Sequence, residues 1–121
     1  SRHKPWSGSQ RSLDWISLNN SLQWKAFKNL STELLSRRND LFVLIGPLND
    51  HMFNEMTASK LNQLSDEASE WLKSMQINHW SPDPLPSDHY ADASHPLTHG
   101  YEMLAKELLK NKSFTDWVRP R

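Results

Sequence analysis

Five consecutive apolar residues, Leu41-Phe42-Val43-Leu44-Ile45, run straight into Gly46-Pro47-Leu48-Asn49-Asp50. The run is short, contains the β-branched Val and Ile, and lies between turn formers, so it reads as a strand buried on both faces. Strands of that kind belong to parallel sheets covered by helices, and ligands gather at the carboxyl edge, where the strand gives way to its loop. Only Ile77-Asn78-His79-Trp80 offers a second strand. Two strands do not make a stable parallel sheet. The sheet therefore calls for strands beyond these 121 residues, from a missing N-terminal half, another chain or a symmetry mate.

The segments around the two strands carry helical periodicity. Ser21 is placed to cap a helix in which Leu22, Ala26, Phe27, Leu30, Leu34 and Leu35 recur at three- and four-residue steps. Arg37-Arg38-Asn39-Asp40 ends it, with cations at the negative end of the helix dipole and Asn39 suited to a left-handed cap. Thr57 or Ser59 would cap the next helix, spaced by Leu61, Leu64, Ala68, Trp71, Leu72 and Met75. A third runs from Thr98 to about Asn111 through Tyr101, Leu104, Ala105, Leu108 and Leu109. Three prolines between Ser81 and Ser87 make that stretch a stiff, extended crossing. The order helix, strand, helix, strand, helix is an α/β pattern with right-handed crossovers. Residues 1–20 form an extended arm, 21–111 the body, and 112–121 a tail that is polar except at Phe114, Trp117 and Val118.

Composition removes several functions. Fourteen basic and fourteen acidic residues leave no net charge, against the basic excess that a nucleic-acid surface requires. Apolar residues make up 36% and mean hydropathy is −0.76, polar for a self-sufficient globule and in keeping with part of a larger one. With no cysteine there is neither a disulfide framework nor a thiol nucleophile. No apolar run approaches the roughly 18 residues of a membrane span, and no signal peptide is present. The chain opens on Ser1 rather than Met, which is compatible with a leader or anchor upstream.

The chemistry concentrates in Tyr90-Ala91-Asp92-Ala93-Ser94-His95-Pro96. A carboxylate three residues before an imidazole in such a loop can hold the ring in one tautomer, leaving the other nitrogen free to take a proton from a hydroxyl nucleophile. Two other readings share the residues. His89, Asp92, His95 and His99, at spacings of three, three and four, have the ligand types of an open zinc site. Pro96 and Gly100 interrupt the helical register it would need, and the Glu-flanked zincin pattern is absent. Six tryptophans would also serve a non-catalytic module that stacks on sugars or docks a partner.

Two ordered blocks tie the loop to a family. Gly46-Pro47-Leu48-Asn49-Asp50 resembles the GxND block, and Asp92-Ala93-Ser94-His95-Pro96 the DxxHP block, of the SGNH (GDSL-like) hydrolases; Gly100-Tyr101-Glu102-Met103-Leu104-Ala105 is similar to the helix that follows the family's histidine. The resemblance covers roughly Asp40 to Leu109. It implies a flavodoxin-like, three-layer sheet of parallel strands, here without its N-terminal strands. By it, His95 is the general base, Asp92 its orienting partner, and Asn49 and Gly46 the oxyanion site, Asn49 as donor and Gly46 by letting backbone approach closely. The implied chemistry is hydrolysis or transfer of an acyl ester, polysaccharide- or lipid-linked, with no cofactor or metal and with an extracytoplasmic or membrane-anchored setting. The family's nucleophile, a serine in a Gly-Asp-Ser turn, is absent, and Ser7-Gly8-Ser9 is the nearest string. The chain thus resembles the C-terminal half of such a domain, expected to be inactive alone and completed by its missing half, another chain or a homo-oligomer.

Overall fold

The computed structural model describes Trp6 and residues 8–119. Helix α1 (Leu22–Ser36) begins where Ser21 Oγ accepts from Trp24 N at 3.1 Å, as the sequence predicts. At its end, however, Arg38 takes the left-handed backbone (φ +65°), while Asn39 caps from outside by donating its backbone and side-chain N–H groups to Leu34 O. Strand β1 (Phe42–Leu44) follows, then helix α2 (Glu55–Ser74), strand β2 (Asn78–Trp80), helix α3 (Thr98–Lys110) and helix α4 (Lys112–Val118). Helix α2 starts earlier than Thr57 or Ser59 would set it. Asn54 is the cap, its Oδ1 accepting from Thr57 N at 2.9 Å, and Thr57 is buried with its hydroxyl turned to Leu13 N. Helix α4 occupies what the sequence reads as a polar tail. Asn111 caps it, and its Phe114 and Trp117 rings pack on Phe42, at 5.2 and 5.7 Å between centroids.

The two strands pair in parallel, with Val43 opposite His79, and form a two-stranded sheet. Neighbours in register point to the same face, so the contacts of each strand sort the helices. Ser69 of α2 bonds His79 at 2.7 Å, which places α2 over the Val43–His79 face. Phe42, one residue off in the pleat, meets α4 on the opposite face. Helices thus flank both faces of an α/β sheet. The expectation that β1 is buried on both faces is not met among the described residues: the sheet has two strands and Leu44 is 40% exposed.

Helix α1 lies beside α2, with Trp71 edge-on to Trp24 and Phe27 at 5.5 and 6.2 Å. Of α1 only Ser31 is fully buried, and Leu22 and Leu30 stay exposed. The arm does not hang free in its described part. Arg11 bridges to Phe53 through Arg11 N–Met52 O (2.7 Å) and Asn54 N–Arg11 O (2.9 Å), and Trp15 Nε1 donates to Thr57 O. No helix among the described residues is long and apolar enough to cross a membrane.

Candidate functional site

The loop between β2 and α3 is closed on itself. Tyr90 and Pro96 form an antiparallel bridge, Ala91 N donates to His95 O at 2.7 Å, and Leu97 N donates to His89 O at 2.7 Å. Inside this closed loop the Asp92 carboxylate gathers four contacts. Oδ1 accepts from the backbone N–H groups of Ser94 and His95, both at 2.9 Å, and the His95 ring meets Oδ1 and Oδ2 at 2.8 and 2.9 Å through Nδ1. The carboxylate only accepts, so the neutral ring carries its proton on Nδ1 and presents Nε2 as a base. Both side chains are open to solvent, His95 at 70% and Asp92 at 57%.

The Ser94 N–H first, and then the His95 ring, hold the Asp92 carboxyl below its ordinary value of 3.8. A carboxyl whose folded pKa is lowered stabilises the fold while ionised. That contribution is complete above about 3.8 and disappears as the pH falls through the lower folded value. Titration of the Asp92 carboxyl carbon by NMR should accordingly give a midpoint under 3.8. A midpoint at or above it would mean that the loop does not hold these bonds in solution.

The second block meets this loop. Asn49, at 1% exposure, donates its backbone N–H to Ala93 O at 2.8 Å, directly between Asp92 and Ser94. Tyr90 fastens the same junction. Its hydroxyl donates to Leu48 O at 3.2 Å and accepts from Leu85 N at 3.0 Å, and burial pushes the phenol above its ordinary pKa of 10.0 against the Leu85 N–H that favours the anion. The sequence gives no hint of this clamp, since a tyrosine two residues before an aspartate has no distinctive signature. Asn49 Oδ1 is buried and has no hydrogen-bond partner. An orphan acceptor of this kind costs about 1–3 kcal/mol. Asn49 and Asp92 line one cleft of about 480 Å³ together with Trp6, Arg11, Tyr90 and Ser94.

Gly46 does not join them. It faces a neighbouring cleft of about 570 Å³ between the loops that leave β1 and β2, and two residues, Pro47 and Leu48, separate it from Asn49. A Cβ at Gly46 would meet nothing closer than Leu48 N at 3.5 Å, so close backbone approach is not what requires glycine there. The requirement is φ, at +72°.

The four residues with zinc-ligand chemistry do not converge. The His89 and His99 rings touch at 4.4 Å with Asp88 bonded to His89 Nδ1 at 2.9 Å, whereas His95 turns to Asp92. Among the described residues no three His, Cys, Asp or Glu side chains are grouped so as to hold a metal. Nor is a hydroxyl in place to be activated. Ser94 Oγ lies 3.2 Å from Nδ1, the nitrogen already engaged by Asp92, and among the described residues none bonds Nε2. Ser7 lies outside the described residues. No family model, curated protein or solved structure matches the chain.

Proposed function

We propose that this chain carries the acid–base and oxyanion part of an SGNH-like serine ester hydrolase or acyltransferase, whose nucleophile comes from polypeptide outside it. The observation that supports the reading is the direct bond between its two parts: Asn49 N–H to Ala93 O ties the buried Asn49 to the loop of the Asp92–His95 pair, whose Nε2 is bonded by no described residue. In this scheme a serine oxygen attacks the acyl carbonyl while His95 Nε2 takes its proton. Asp92 keeps the second proton on Nδ1 and stabilises the imidazolium. The Asn49 amide and backbone N–H groups receive the developing oxyanion. Collapse breaks the ester C–O bond, and His95 returns its proton to the leaving alkoxide. Water, or an acceptor hydroxyl in a transferase, then releases the acyl group by the same steps in reverse order.

One observation favours a competing reading, a carbohydrate- or protein-binding module on a degenerate hydrolase fold: Trp6 lines the cleft of Asn49 and Asp92, and no hydroxyl faces Nε2 among the described residues. Turnover separates the two. The 121-residue chain is expected to show none with a short-chain acyl ester, whereas the product of the intact gene should hydrolyse or transfer it. Turnover by the 121-residue chain that His95→Ala abolishes would place the nucleophile inside it. Oligosaccharide-dependent tryptophan fluorescence without turnover in the gene product would favour the binding module.

A further inference from the structure

The cleft that holds Asn49 and Asp92 is walled on one side by the N-terminal arm, which supplies Trp6 and Arg11. Backbone fixes the arm there. Arg11 N donates to Met52 O at 2.7 Å and Arg11 O accepts from Asn54 N at 2.9 Å, so the residue cannot leave the rim without breaking both bonds. The Trp6 ring rests on Gly8, at a place where any Cβ would collide with it.

The arm's side chains are not used to hold it. Among the described residues Arg11 enters no ion pair, and the cation resting on a tryptophan ring is Lys28 on Trp24. The Trp6 Nε1–H is buried and likewise has no acceptor. Two donors, one of them charged, therefore line one cleft with nothing to donate to. Asp92, the other charged side chain of the cleft, does not answer them, because its oxygens accept from Ser94 N, His95 N and His95 Nδ1.

An anion meets both demands. Carboxylate oxygens only accept, and a planar guanidinium matches them with two parallel bonds, a fit that a neutral hydroxyl or amide does not give. A cation would be repelled by Arg11, and an apolar group would strip water from both donors without replacing it. A single cation in the cleft balances one negative charge, and a doubly charged group would bring its surplus beside Asp92.

We infer that this cleft selects ligands bearing a carboxylate, bound by the Arg11 guanidinium and the Trp6 indole N–H, and that Arg11 is the residue that sets the preference. The inference deepens the hydrolase reading and rests on it only for calling the ligand an ester; the carboxylate then belongs to the acyl chain or to the alcohol. The preference itself is a property of binding.

Two matched pairs of probes test it on the 121-residue chain, with the ¹H–¹⁵N shift of the Trp6 indole as the readout. Monomethyl succinate against methyl butyrate places the charge on the acyl side, and methyl glucuronide against methyl glucoside places it on the alcohol side. Arg11 is exposed, so the expected gain is that of a partly solvated pair: in one of the two comparisons the anion should bind about five- to tenfold tighter at low salt, with the advantage shrinking as salt is added. The comparison that shows it tells which side carries the carboxylate. Arg11→Gln should bring the anion down to the affinity of its neutral partner with the melting temperature unchanged, since the backbone bonds to Met52 and Asn54 remain. Trp6→Phe, read on the Ala93 amide, should keep the preference but weaken the anion severalfold. Equal affinities within both pairs, no binding by either anion, or a preference that survives Arg11→Gln would overturn the inference. Because binding is read without turnover, a charge preference in a protein inert toward esters would remove the hydrolase reading and leave this one standing, and ester turnover indifferent to charge would do the reverse.

Discussion

Under the hydrolase reading, His95→Ala is expected to lower kcat for a short-chain acyl ester by about ten-thousandfold, while the unfolding temperature moves by no more than about 2 °C. The two effects part because of where the residue sits. His95 is 70% exposed and its side chain bonds only within its own loop, to Asp92 and Ser94, and surface substitutions of that kind usually stay within about 0.5 kcal/mol. The expected loss is large because, among the described residues, His95 is the imidazole that Asp92 holds: with it gone, the nucleophile must ionise unaided. Asn49→Ala should be milder, about a hundred- to a thousandfold, since it removes one oxyanion donor among several. Asp92→Asn should approach the His95 value, because an amide in place of the carboxylate favours the wrong tautomer. The ranking His95 and Asp92 above Asn49, read from steady-state kinetics with melting curves alongside, distinguishes a hydrolase site from a loop that merely orders itself. Undiminished turnover by His95→Ala would end the hydrolase reading.

The parts of this arrangement that the sequence made legible are those fixed within a few residues. Ser21 caps α1, the apolar 41–45 run contains β1, and the Asp92–His95 pair forms because a three-residue loop brings its ends together. The misses lie where a local preference lost to a neighbouring one or to distant packing. Thr57 and Ser59 have good capping chemistry, but Asn54 starts α2 first, and the Thr57 hydroxyl is needed by Leu13 44 residues away in sequence. Asn39 is the better left-handed residue in isolation, yet Arg38 adopts that backbone so that Asn39 can close the helix end twice on Leu34 O. Helix α4 has only three apolar residues in seven, too few to register as a period, and its packing comes from Phe42, some 70 positions earlier. The reading of Leu44 as buried was an inference about a whole sheet, and among the described residues that sheet has two strands and leaves Leu44 40% exposed. Site residues drawn from one loop came together; Gly46 and Asn49, three apart on a turn with positive φ, went to different clefts.

Gly100→Ala is expected to destabilise the chain by about 2–3 kcal/mol and to loosen the His95 loop with it. In an exposed helix the change would help, since alanine outranks glycine by about 1 kcal/mol. Here the space decides against it. Gly100 is buried in the first turn of α3, and an added Cβ would stand 2.5 Å from His89 O and 3.1 Å from Pro96 Cβ. His89 O is backbone and already receives Leu97 N at 2.7 Å, so relief requires moving α3 away from the segment that closes the Asp92–His95 loop. The overpacking cost exceeds the propensity gain, and the melting temperature of the 121-residue chain should fall by several degrees. The Asp92 carboxyl should move back toward 3.8 as its hydrogen bonds lengthen. A rise in melting temperature instead would show that α3 does not press on His89, and with that the physical link between this helix and the orientation of His95 would be gone.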